Sequence, residues 1–356
     1  MTRSVTLYGV LLVVLLGLSW EQWTSPPEPD RGDKIELIGG TVDDVEKIVW
    51  KGEKDEATIE RKTDAAGAYL WVTYTKWEEA KKPEPAPADP AAPTDPAADP
   101  AADPAAAPTP PAAEPEKVAK TQIFKAGEAG DKLVESLSPL LALRELTDVP
   151  ADKLATLGLD APKEHLEITR KGRTRTLDVG GEAYGSKDRY VKDTESGKIY
   201  LLDDETLRPL KYARTRLPDR AIFSLPREKI ATAVVSSGVG SLEIAQKNPD
   251  DKEKATWVKA SEPDAAAEQV KTWMDKALQL KSTSYVGADE QPADLTSSFR
   301  LTLRGADGKT ETLEVLSAGG DWYARSEHTR GLVKLLKGPT SALAEDVADL
   351  TAATAP

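Results

Sequence analysis

The chain contains no cysteine, which excludes disulfides, iron–sulfur ligation, thiol nucleophiles and a lipid-modified cysteine. It has only 2 histidines, His165 and His328, with no HxH or HxxxH spacing, so little is left for a metal centre built on imidazole. Cations are the minority, with 47 Lys and Arg against 60 Asp and Glu and a net charge of −13. That balance argues against unaided binding to nucleic acid or anionic lipid, because phosphate contact needs clustered cations. Long apolar runs are scarce. The exception is Val5 to Trp20, uncharged, preceded by Arg3 and followed by Glu21, Glu28 and Asp30. It is close to the roughly 17–25 residues that a spanning helix needs, and Trp20 and Trp23 suit the far interface. A secretory signal peptide is the competing reading, but no clean A-x-A cleavage pattern follows. The expectation is a signal anchor and transmembrane helix over residues 1–23, N-terminus cytoplasmic, in a cell inner membrane, with the bulk of the chain periplasmic.

With 39% hydrophobic residues and 8 Trp, the remainder can bury real cores. A unit of roughly 120 residues is expected twice. Glu46-Lys47-Ile48 recurs as Glu228-Lys229-Ile230 at an offset of 182, and Trp71-Val72 as Trp257-Val258 at 186. Leu133, Leu137, Leu141 and Leu143 match Val270, Met274, Leu278 and Leu280 at 137, and Thr176-Leu177-Asp178-Val179 matches Thr312-Leu313-Glu314-Val315 at 136. The offset falls between Trp71 and Leu133, where a Pro/Ala/Asp-rich tract runs over 81–117. One insertion into the first copy accounts for the drop. The tract cannot bury enough apolar surface to offset chain ordering and reads as disordered. The expected domains are 24–226 and 227–356.

Alternating runs rich in β-branched and aromatic residues predict strands at Val45–Trp50, Ala57–Arg61, Ala68–Thr75, His165–Arg170, Arg173–Val179, Arg189–Lys192 and Lys198–Leu202. In the second copy the same pattern falls at Phe299–Arg304, Thr310–Leu316, Trp322–Arg325 and Gly331–Leu336, with turns at Lys171-Gly172 and Asp307-Gly308. Helical spacing marks Leu133, Leu137, Leu140 and Leu141 behind a cap at Asp131, and a cleaner helix over Asp264–Lys281. Terminal helices are expected behind Asp203 or Asp204 and behind Thr340 or Ser341. Strand runs broken by single helices, without βαβ alternation, indicate an α+β fold in which each unit is a mainly antiparallel sheet covered by helices.

No spacing selects a catalytic pair from the 60 acids. His165 and His328 read as structural or surface residues, and Gly180–Lys187 as a strand connection, since its final Ser-Lys reverses the phosphate-loop order. The basic run Arg170, Lys171, Arg173, Arg175 suits either an anionic partner or exposed strand faces. Trp71 and Trp257 are expected to seal equivalent cores, with glycan stacking as the alternative. No catalytic, metal-binding or cofactor-binding residue is assigned, and no cofactor is expected.

Leu157-Gly158-Leu159-Asp160-Ala161-Pro162, the strands that follow, and Leu217-Pro218-Asp219-Arg220-Ala221-Ile222-Phe223 together resemble the family called domain of unknown function 4340. The resemblance singles out Gly158, Leu159, Asp160, Pro162, Asp219 and Arg220 as motif positions, for which turn-setting and a local Asp219–Arg220 ion pair are sufficient roles. It also implies association with ABC-type transporters related to gliding-motility systems. The expectation is therefore a non-catalytic, membrane-anchored accessory or scaffold protein with an envelope or ABC-type transporter protein as partner. The alternatives are an envelope glycan or peptidoglycan hydrolase, and a periplasmic ligand-binding module with an apolar cleft between the copies near Phe223 to Arg227.

Overall fold

The computed structural model describes residues 34–79, 117–251 and 253–352. The expected anchor at 1–23 and the tract through residue 116 lie outside the described residues. Among those described, no helix is long and apolar enough to cross a membrane.

In chain order the elements are β1 (Ile35–Ile38), β2 (Val45–Lys51), β3 (Asp55–Asp64), β4 (Gly67–Glu79), β5 (Lys117–Lys125), α1 (Glu128–Ser136), β6 (Leu140–Ala142) and β7 (Arg144–Leu146). There follow β8 (Glu164–Arg170), β9 (Arg173–Glu182), β10 (Arg189–Asp193), β11 (Ile199–Leu202), α2 (Asp204–Lys211) and α3 (Ala213–Arg216). A linker then leads to β12 (Ile230–Ser237), β13 (Ser241–Lys247), β14 (Thr256–Lys259), α4 (Glu268–Ala277), β15 (Ser282–Tyr285) and β16 (Thr296–Gly305). The chain closes with β17 (Thr310–Ala318), β18 (Asp321–Ser326), β19 (Val333–Leu335) and α5 (Lys337–Ala352).

One sheet has nine strands in the order β5-β4-β3-β2-β8-β9-β10-β11-β7, and another has eight in the order β14-β13-β12-β16-β17-β18-β19-β15. A small pair, β1 and β6, stands apart. The fold is α+β and sheet-rich, and the pairings are antiparallel. Each large sheet buries one face under helices, because successive side chains on a strand point to opposite sides. In the first, Ile48, Ile59, Val72 and Ile168 pack with Leu133, Leu137, Leu207 and Leu210. In the second, Ile244, Phe299, Leu301 and Val315 pack with Val270, Trp273, Met274 and Leu343. Lys171 and Gly172 turn the β8–β9 hairpin with φ of 47 and 73, the left-handed pair a tight hairpin requires.

Several expectations need correction. The helix expected through Leu141 ends at its C-cap Leu137, and Gly127, not Asp131, is its N-cap. Pro139 lacks the N–H a further turn would need, so Leu140 and Leu141 pass into β6 instead. The last helix begins at Lys337, ahead of Thr340, whose buried hydroxyl donates inside the helix to the Leu336 carbonyl. Glu46–Ile48 lies within β2, whereas Glu228 and Lys229 form a 3-10 turn and Ile230 opens β12. A like turn, Val42–Asp44, precedes β2.

Trp71 is half-buried, packed edge-on against Tyr69 at 5.9 Å with the Lys62 ammonium over its ring at 5.8 Å, while Trp257 is fully buried. Strand register explains the difference. Ile48, Ile59 and Val72 face one another across β2, β3 and β4, as Ala233, Ile244 and Lys259 do across β12, β13 and β14. Trp257 therefore corresponds to Leu70, and a one-residue slip puts Trp71 on the opposite face.

Candidate functional site at the junction of the sheets

The linker from Leu217 to Leu225 touches both sheets. Pro218 forms a bridge with Ala126 beyond the end of β5, and Ala221 forms one with Lys281 ahead of β15. The Asp219 amide donates to the Lys125 carbonyl (2.9 Å), and the Ser282 amide to the Arg220 carbonyl (2.9 Å). This fixed backbone aims the Asp219 side chain into the joint. There its Oδ2 lies 2.6 Å from Lys125 Nζ and 2.8 Å from His328 Nε2, and its Oδ1 accepts from the Ala221 amide at 3.0 Å. Burial pushes the Asp219 carboxyl up, but hydrogen bonds from His328, Lys125 and the Ala221 amide outweigh it and hold the pKa at about 2. Lys125 Nζ is also 3.1 Å from His328 Nε2. A neutral ring can use that nitrogen only once, donating to Asp219 or accepting from Lys125.

Two further contacts close the joint. Tyr285 packs against Phe124 with centroids 6.3 Å apart, and burial raises its phenol well above the usual range. Arg330 donates to both Asp64 carboxylate oxygens (2.5 and 3.0 Å) and lies 4.1 Å from the Tyr69 ring centre, a planar fork paired and stacked at once. Beside these contacts runs a groove of about 510 Å3, lined by Tyr74, Lys76 and Glu78 of β4 and Ala119 to Ile123 of β5 on one side, by Gly287 to Glu290 on the other, and by Arg214. A smaller cavity of about 270 Å3 continues past Pro218, Arg220 and Tyr285.

The motif residues divide between two places. Gly158 has φ +68, and a Cβ there would come within 2.9 Å of the Gly181 nitrogen. A Cβ on Gly180 would meet the Leu157 carbonyl oxygen at 2.3 Å. Gly158 thus turns the chain so that Leu159 is buried against the end of β9, leaving Asp160 exposed and Pro162 half-buried. Asp219 is at β5, five strand positions from β9, roughly 24 Å at sheet spacing. Arg220 is exposed and lines the smaller cavity, and the expected Asp219–Arg220 pair is replaced by Asp219 with Lys125 and His328. Lys125 and His328 lie 203 residues apart, so no local pattern could have paired them.

The other candidates have internal partners. His165 pairs with Asp178 at 2.8 Å. Arg170 is buried and donates to the Gly39 and Leu137 carbonyls, Lys171 pairs with Asp44, Arg173 with Glu195 and Arg175 with Asp193. The Phe223–Arg227 stretch is held by the buried Glu311 carboxylate, which accepts from the Ser224 and Leu225 amides. Among the described residues no group of three His, Asp or Glu side chains is placed to hold a metal ion.

The family described as Domain of unknown function (DUF4340) has a sequence model that matches residues 128–298. Over these residues the chain is similar to this family's domain. The match runs from the start of α1, through the Asp219 linker, into β16, so the family's domain includes parts of both sheets. Neither the curated proteins nor the solved structures offer a match to the chain.

Proposed function

We propose that the protein is a non-catalytic accessory or scaffold, held at the membrane by residues 1–23 and built from two related units that together present a binding platform to an ABC-type transport complex. The observation that carries this reading is the use made of Asp219, Lys125 and His328. They are the most tightly converged titratable groups at the junction, with Lys125 and Asp219 paired across it and His328 hydrogen-bonded to the same carboxylate. Asp219 is held ionised by partners from both sheets, which suits a joint that keeps them in fixed relation. The relatedness of the units is supported by strand order, since eight strands follow one path in both sheets. Anchoring is supported by the apolar run Val5–Trp20, and the transporter partner rests on what the motif resemblance implies.

The test is to replace residues 1–23 with a cleavable signal peptide at native abundance. Tethering raises the effective concentration of the platform beside a membrane partner, so the exported, untethered protein should fail to restore the phenotype of a deletion strain. Full restoration would sink the membrane-scaffold reading in favour of a freely diffusing binding protein or enzyme.

A further inference from the structure

We infer that the open edge of β5 is a strand-addition site, taking one extended segment of a partner protein as a further strand of the first sheet. This rests on the scaffold reading and names the kind of contact the scaffold makes. β5 is an edge strand with β4 as its neighbour in the sheet. On an antiparallel edge strand, alternate residues turn their N–H and C=O groups away from the neighbour, leaving a row of unpaired donors and acceptors. Proteins blunt such edges by keeping them short. The other edge strands of the two large sheets follow that rule, with β7 of 3 residues and β14 and β15 of 4 each, but β5 has 9. Val118 and Ile123 on it are also exposed, at 49% and 40%.

The groove lies against β4 and β5. Five consecutive residues, Ala119 to Ile123, line it. Tyr74, Lys76 and Glu78, alternate residues of β4, line it too, so the groove lies over one face of the β4–β5 pair and reaches round to the edge of β5. The Pro-rich tract leaving the same hairpin is a poor occupant, because proline supplies no N–H to a ladder. Charge narrows the partner further. Arg214 lies in the groove, and Asp289 and Glu290 are exposed on its other side, which suits a segment carrying an acidic side chain toward Arg214 and a basic one toward Asp289 and Glu290.

The experiment uses the full chain in detergent and a displayed library of short random peptides. Selected peptides should slow backbone amide exchange within residues 117–123 and leave β13 unchanged. Proline is then placed in turn at Thr121 and Gln122, whose N–H groups point to opposite sides. The outward-facing one should keep the wild-type Tm and lose about tenfold in peptide affinity, the worth of one ladder bond. Peptides that bind without slowing those amides, or equal binding by the stable proline variant, would overturn the proposal. So would protection of the same amides without peptide in a self-associated form, since the occupant would then be a second copy. A transporter component that co-purifies yet leaves 117–123 exchanging freely would overturn the strand-addition site and leave the scaffold reading standing.

Discussion

The first sheet has nine strands and the second eight, and the difference, β5, sits where the two meet. Phe124 and Lys125 on that strand supply the first sheet's side of the contact with Tyr285, Asp219 and His328. Among the described residues, the second sheet ends at that edge with the short β14 and has nothing equivalent. The comparison teaches that an added edge strand can leave a sheet's existing pairings alone and still create a surface for another unit. Edge positions permit this because a new strand needs only one free ladder.

The largest effect should come from breaking the comparison at its tryptophans. Trp257→Ala empties a fully buried site and should cost about 3–5 kcal/mol, whereas Trp71→Ala, on the outer face, should cost less than about 1 kcal/mol. Urea unfolding of both variants checks this, and equal losses would mean that the register argument is wrong. Next comes the joint. Asp219→Ala leaves Lys125 buried without its carboxylate and should cost about 3 kcal/mol, most of it recovered by Asp219→Leu combined with Lys125→Met. The same group predicts an acid limb. Its pKa is about 2 in the folded protein against the ordinary 3.8, so its contribution is complete above 3.8 and fades as pH falls toward 2. The loss amounts to about 2 kcal/mol. Urea titrations of wild type and Asp219→Asn between those pH values should differ in slope, and parallel curves would refute the assignment. The smallest effect is expected from deleting Pro83–Pro115. Glu79 and Lys117 are register partners, so Ala80-Lys81-Lys82-Glu116 would close the hairpin at an ordinary loop length. Stability should change by less than about 1 kcal/mol with unfolding still cooperative, and a broadened transition would show that the tract is structural.

Much of the sheet was legible because its signal is local. Leu177 and Leu313, matched at an offset of 136, do face Leu166 and Leu301 at like places in β9 and β17. Identity of residues misled where register decides the face. Trp71 and Trp257 look alike in sequence, yet pleat parity separates them. β5 was hidden because Lys117–Lys125 adjoins a low-complexity tract and carries three lysines, a pattern that reads as polar connection. The joint was half-visible: the motif resemblance marked Asp219, but its partners come from a strand end and a turn brought together only by tertiary packing.

The central pairings of the two sheets also bear on the order of folding. Ile48 meets Ile168 across β2 and β8, a separation of 120 residues, and Ala233 meets Leu303 across β12 and β16, a separation of 70. Closing the longer loop costs about 0.5 kcal/mol more chain entropy before any ladder bond repays it. During synthesis the N-terminal sheet is complete first, yet its middle closes through the longer search. Refolding followed by a fluorophore in each core should therefore show the C-terminal sheet assembling about twofold sooner, leaving Asp219 to join two bodies of unequal age.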